Sequence, residues 1–230
     1  MYDHQPEFWP QVDIFSPAKF EKTVHIIGVG AIGSHIALTL AKMGVEKIAV
    51  YDPDTVSAHN VPNQVYGIAD IRDSVEDEIK KVDALARHIK EQTGAQIQAV
   101  AQEISSGEWK FPGIVFLCVD SMAARRYIYE EYIKLKLWVD LFIEVRMGAE
   151  IGKIYTIKPW HFFDLKGYEE TLHSDEEAAQ DECTAHAIKT TAEVIAGIAC
   201  HKLTKWQRHI LWQKEVVVSL NPILITSRSW

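Results

Sequence analysis

Cysteine is the first scarcity. The 230 residues contain three, Cys118, Cys183 and Cys200, and nowhere a Cys-x-x-Cys. Three thiols cannot form a framework of paired disulfides or a four-cysteine zinc site, so a reduced, cytoplasmic setting is expected. The ten histidines supply no His-Glu-x-x-His zinc pattern either. Positive charge is also short. The 24 Lys and Arg stand against 32 Asp and Glu, for a formal net charge of -8. General binding to a phosphate backbone, and so a nucleic-acid partner, is not expected. No apolar run is long enough to cross a bilayer, so no membrane partner is expected. The opening "MYDHQPEFWPQVDIF" is acidic and broken by prolines, unlike a signal peptide. There is no internal repeat and no low-complexity tract.

What remains is globular: 47% hydrophobic and 24% charged residues, enough for one sizeable core. Residues 1–22, with Pro6, Pro10 and Pro17, read as an N-terminal arm, and residues 23–230 as a single domain. "TVHIIG" (23–28) predicts a buried strand. Ile32, Ile36 and Leu40 predict a helix over 31–43 that stops at Gly44, and "KIAVY" (47–51) a second strand. Ser74 with Asp77 resembles a capping box, so Val75, Ile79, Val82, Leu85 and Ile89 predict a helix from there to Gly94. "AQIQAVA" (95–101) predicts a third strand. "GIVFLCV" (113–119), nearly all apolar, suits a central parallel strand. A helix over 121–134 and a fifth strand, "LWVDLFI" (137–143), follow.

"EVRMGAEIGKIYTIKP" (144–159) then predicts two antiparallel runs around Gly148 and Gly152. Residues 159–183, acidic from Glu169 onward, read as a crossover loop. A late helix over 184–205 and strand material in "EVVVSLNPILIT" (215–226) close the chain. The alternation predicts a doubly wound, Rossmann-like α/β fold. Its sheet is mostly parallel, with C-terminal antiparallel strands and a late helix.

"GVGAIG" places Gly28-x-Gly30-x-x-Gly33 between the first strand and the first helix, the context a nucleotide fingerprint requires. The glycines permit a tight turn and close backbone approach, and free N–H groups at the helix start face a phosphate. Asp52, nineteen residues after Gly33 at the end of the second strand, is placed to bind a ribose hydroxyl. These features alone fit NAD, FAD, SAM or ATP.

The loop "YDPDTVSAHNVPNQ" separates them. Asp52-x-Asp54-x-Val56 and Asn60-x-x-Asn63-Gln64 resemble the Asp-x-Asp-x-Val and Asn-x-x-Arg-Gln pattern of the ThiF/MoeB/HesA proteins, the ubiquitin-activating-enzyme-like superfamily. Lys81-Val82-Asp83 on the next helix, and Asp120 followed by Arg125 and Arg126, resemble further family motifs. So do "VRMGAEIGKIYTIKP" and "DECTAHAIKTTAEVIAGIA", and the likeness spans about residues 23–203 in order.

The resemblance implies ATP-dependent adenylation of the C-terminal carboxylate of a small ubiquitin-like or sulfur-carrier protein, with ATP and Mg2+, by a homodimer. It implies that Gly28, Gly30 and Gly33 approach the nucleotide and that Asp52 and Asp54 open the ribose loop. Asn60, Asn63 and Gln64 would line the phosphate region, Lys81 would balance phosphate charge, and Asp120 would take the metal. Cys183, at a predicted helix start with His186 after it, is the candidate for a thioester with the carrier.

One departure stands out: Asn63 occupies the position where the family usually carries an arginine, and residues 1–22 hold Lys19 and Lys22 but no arginine. Arg72, Arg125, Arg126 or Arg146 could compensate. Failing that, the chain is a catalytically weak nucleotide-binding or assembly module, and an NAD-dependent oxidoreductase is a third reading.

Blander roles are available residue by residue. Asp120 could cap the helix at Ser121, Lys81 could be a solvated helix lysine, and Asn60 and Gln64 could be ordinary turn residues. Cys118, Cys200 and His25 read as core residues, and most of the seven tryptophans as core or interface residues.

Overall fold

The structure is a computed structural model, and it describes residues 6–72, 77–172 and 188–230. Eight strands form one sheet: β1 (Val24–Ile27), β2 (Ile48–Tyr51), β3 (Gln98–Val100), β4 (Gly113–Leu117), β5 (Val139–Gly148), β6 (Ile151–Ile157), β7 (Glu215–Leu220) and β8 (Ile223–Arg228). Their spatial order is β3-β2-β1-β4-β5-β6-β7-β8. The first five strands pair in parallel and the last three add on antiparallel. The described helices are α1 (Ala31–Lys42), α2 (Lys81–Thr93), α3 (Met122–Ile128), α4 (Phe162–Glu169) and α5 (Lys189–Gln207).

Side chains alternate across a strand, so each central strand feeds two cores. Ile26, Ile114, Phe116, Ile143 and Val145 join Ile36, Leu40, Leu85, Ile89, Ile195 and Leu203 in one. Ile27, Val115, Leu117 and Phe142 join Ile128, Tyr129, Leu165 and Tyr168 in the other. β1 and β4 are buried throughout, which is why they read as continuous apolar runs. Residues 6–22 make two short 3-10 turns, Trp9–Gln11 and Pro17–Lys19. They dock on α5, where the Gln207 side chain bonds both the N–H and the C=O of Ser16.

Several expectations need correction. α2 starts at Lys81, well after the proposed capping box. Residues 79 and 80 instead run against the preceding loop up to the helix start: Val56 N–H donates to Ile79 O, Lys81 N–H donates to Asp54 O, and Lys80 bridges Thr55. "LWVDLFI" and "EVRMG" are not separate runs, because β5 continues unbroken to Gly148. α3 gives way at Tyr129 to a π-helical turn through Ile133.

Residues 159–172 are not all loop. α4 forms because Leu165 and Tyr168 are buried and Asp164 is anchored by Lys158 N–H (2.8 Å) and Lys214 Nζ (2.5 Å). All seven tryptophans are half-buried or exposed, none fully in a core. His25 and Cys200 are buried core residues, and His25 is satisfied by Tyr51 OH and Pro112 O.

β1 sits between β2 and β4, and Ile27 is in register with both Tyr51 and Leu117. The chain winds from β1 to β2 and β3, then crosses back to β4. A doubly wound sheet opens a crevice at such a reversal, beyond the carboxyl ends of the strands.

Candidate functional site

A crevice of about 640 Å³ lies there, lined by the turn after β1, the loop after β2, the loop after β3 and the start of α3. Gly28 has a φ of +86°, and an added Cβ would sit 2.9 Å from the Cys118 carbonyl, so the turn requires glycine. Gly33 lies beneath the turn, on α1. A Cβ there would come within 1.9 Å of Gly28 O. At Gly30 a Cβ would meet nothing within 4 Å, because this residue faces the open crevice. Gly30 is also the N-cap of α1, with no side-chain cap and no acid in the first turn. The first N–H groups of the helix are therefore left for an anion.

Asp52 is buried at the end of β2. Its Oδ2 accepts Val29 N–H (2.8 Å) and its Oδ1 accepts Asp54 N–H (3.0 Å), tying the glycine turn to the next loop. Tyr66 OH donates to Val29 O (2.8 Å), and burial, with Asp52 second, pushes that phenol well above its ordinary pKa. Asn60 Oδ1 accepts from both the N–H and the hydroxyl of Ser57, 2.9 Å each, so it shapes its own turn while lining the crevice. Gln64 also lines it, and among the described residues its buried Oε1 has no hydrogen-bond partner. Asn63 does not line the crevice; its carbonyl lies 3.3 Å from His35 Nε2.

Lys81 is buried rather than solvated, with Nζ 2.7 Å from Asp54 Oδ2. Asp120 is exposed on the crevice at the end of β4. The capping role falls to Ser121, whose Oγ accepts Ala124 N–H (3.2 Å). Cys118 packs against the core but is only half-buried, at the crevice wall, and burial pushes its thiol up to about 12. Cys183 and His186 lie outside the described residues.

None of the four arginines weighed as compensation is free. Arg125 reaches the crevice wall, but its Nη1 donates to Glu144 Oε1 (2.7 Å) and Val145 O (2.9 Å), and its Nη2 to Val119 O. Arg146 grips both oxygens of Glu144 and Thr171 O. Arg126 donates to Leu172 O, and Arg72 to Ala69 O and Ile71 O. Glu144 is fully buried. Burial pushes its carboxyl up, but Arg125, Arg146 and Tyr168 OH (2.5 Å) outweigh it and hold the group below the usual carboxylate range.

No group of three or more His, Cys, Asp or Glu among the described residues could hold a metal ion. Asp120 is an exposed carboxylate on the crevice, and one carboxylate together with phosphates is a common way to hold Mg2+. No described helix is long and apolar enough to cross a membrane.

Sequence reasoning missed His59, Gln102, Glu103, Ile104 and Met147, which also line the crevice. Residues 102–104 follow the end of β3, and the rule that ligands sit beyond strand carboxyl ends could have found them. No motif signals the others.

The family model described as ThiF family matches residues 18–223. Similar solved structures include E. coli MccB with AMPCPP and MccA (16% identity, TM-score 0.65, covering 95% of this chain and 66% of that one). PaaA is similar at 18% identity and a TM-score of 0.67, covering 93% and 65%. The microcin C7 biosynthetic enzyme MccB with N-formylated MccA is similar at 15% identity and 0.69, covering 95% and 67%. The chain thus spans about two thirds of the length of these structures. No curated protein sequence matches it.

Proposed function

The chain belongs to the ThiF family, and from that membership and the crevice we propose that it binds ATP and adenylates the C-terminal carboxylate of a small ubiquitin-like or sulfur-carrier protein. The observation that carries this reading is the convergence of the uncapped α1 N-terminus, Lys81 and Asp120 on one crevice. MccB has been solved with ATP and with MccA, which supports a nucleotide and a peptide-like partner here.

In this reading the α1 N–H groups hold phosphate oxygens, and Gly30 leaves room for them. Asp52 keeps lone pairs beyond its two backbone contacts, so it accepts the ribose hydroxyls. Gln64 turns its amide NH2 toward the phosphates. Lys81 exchanges Asp54 for a phosphate oxygen. Asp120 would hold Mg2+, which supplies charge neutralisation between the phosphates when bound. A carboxylate oxygen of the carrier attacks the α-phosphorus, the bond to the bridging oxygen breaks, and pyrophosphate leaves. Positioning and charge stabilisation are the protein's share. The same reading makes the protein a cytoplasmic homodimer and gives Cys183 a thioester with the activated tail.

ATP–pyrophosphate exchange in the presence of candidate carriers tests it. Exchange that requires a carrier is expected, with a reductant-sensitive carrier adduct lost in Cys183→Ser. No ATP binding and no exchange with any carrier would end the proposal.

A second reading, nucleotide binding with little turnover, is favoured by the engagement of Arg72, Arg125, Arg126 and Arg146 elsewhere. It expects ATP binding by calorimetry without exchange, and exchange restored by Asn63→Arg.

A further inference from the structure

The crevice wall is short of unpaired positive charge. It carries the carboxylates Asp52, Asp54, Glu103 and Asp120. Among the described residues, three side chains on it can be cationic: Lys81, Arg125 and His59. Lys81 is paired with Asp54, and Arg125 is spent on Glu144 and two carbonyls. A nucleotide triphosphate brings further negative charge into this space, and the repulsion grows as water is displaced.

His59 is different. No described carboxylate pairs with it, and its polar neighbour is Ser57 Oγ, 3.0 Å from Nδ1 and 3.4 Å from Nε2. The Ser57 hydroxyl donates to Asn60 Oδ1 (2.9 Å), so it presents a lone pair to one ring N–H, and only the doubly protonated imidazolium has a second N–H to donate outward. The ring is exposed on the 3-10 turn Ala58–Asn60, and that turn is fastened: Ser57 and Asn60 cap each other and Gln64 N–H donates to Asn60 O (3.0 Å). The loop packs over α1, where His35 meets Asn63 O. His59 and the uncapped start of α1 thus line the same crevice.

We propose that His59 contacts the phosphate tail of the bound nucleotide and, as an imidazolium, supplies the cation that no arginine of this chain delivers there. The inference rests on the nucleotide reading above and assigns one phosphate-binding residue within it. Histidine is the side chain whose charge depends most readily on pH near neutrality, so the assignment is tested at two pH values. Tyr51 and Cys118, both pushed up to about 12 by burial, stay neutral, and burial lowers the pKa of His35 beneath the loop.

The test is calorimetry with ATP and with adenosine, in saturating Mg2+, at pH 6 and pH 8, on the wild type, His59→Gln and His59→Arg. At pH 6 His59→Gln is expected to bind ATP roughly tenfold or more weakly than wild type, the scale of one lost charge-assisted hydrogen bond. At pH 8 the two should converge. His59→Arg should bind ATP tightly at both pH values. Adenosine, which lacks the tail, should bind all three alike, which also shows that the variants are folded. Equal ATP affinity of wild type and His59→Gln at both pH values would overturn the assignment and leave the nucleotide reading standing. Adenosine binding weakened as much as ATP binding would overturn it too. Failure of the wild type to bind either ligand would overturn both.

Discussion

Lys81 meets Asp54 twice. Its backbone N–H donates to Asp54 O at 2.9 Å, and its Nζ stands 2.7 Å from Asp54 Oδ2. The lysine side chain is 9% exposed and the aspartate 61%. The backbone contact fixes where α2 begins, and the side-chain contact parks an ammonium at the crevice edge beside a carboxylate that water can take over. Lys81→Met should therefore weaken ATP binding by roughly 10- to 100-fold, as loss of a charged hydrogen bond does. Its melting temperature should change little. Calorimetry and a thermal melt on the same sample check both halves.

Gly30 and Gly33 are three residues apart and should fail in opposite ways. Gly30→Ala places a methyl in open space, so the fold should keep its stability while ATP affinity collapses. Gly33→Ala drives a methyl to within 1.9 Å of Gly28 O, a backbone atom that cannot step aside cheaply. Overpacking of that kind costs about 1–3 kcal/mol, which urea denaturation would register.

Glu144 holds two guanidiniums and the Tyr168 hydroxyl in a fully buried cluster. Glu144→Gln leaves the arginines without their counter-charge and should destabilise the protein by about 3–5 kcal/mol. Arg125 also ties Val119 O to Val145 O, next to Asp120. The same variant should therefore loosen the start of α3, seen as faster amide exchange at Ala124 and Arg125.

Asp70 is buried and accepts Gly67 N–H (2.7 Å), His88 Nε2 (2.7 Å) and Arg87. Burial pushes its carboxyl up, but these partners prevail and its pKa lies below the ordinary value. A carboxyl with a depressed folded-state pKa adds stability above its unfolded value, near 3.9, and loses it as pH falls through the folded value. Stability should therefore decline below about pH 4. Asp70→Asn should be less stable at neutral pH and show a shallower acid decline, measured by urea unfolding between pH 3 and pH 7.

Local features carried much of this protein openly. The alternating strands and helices, the Gly28-Gly30-Gly33 spacing and Asp52 in register are patterns of near neighbours, and the doubly wound sheet follows from them. Elements set by distant partners were not legible. α4 depends on Asp164 meeting Lys214, fifty residues away, and the late start of α2 depends on residues 54–56 pairing with 79–81.

The arginines draw the same line most sharply. Their number and positions are plain in the chain, as is the Asn63 substitution, because residue identity and short-range spacing need no fold to be read. Where each guanidinium points is settled by packing. Glu144 is buried on β5 nineteen residues from Arg125, and a buried carboxylate must be paired, so it draws Arg125 and Arg146 inward. Among the described residues the crevice is left to Lys81 and His59 by a long-range desolvation constraint, which no window of neighbouring residues contains.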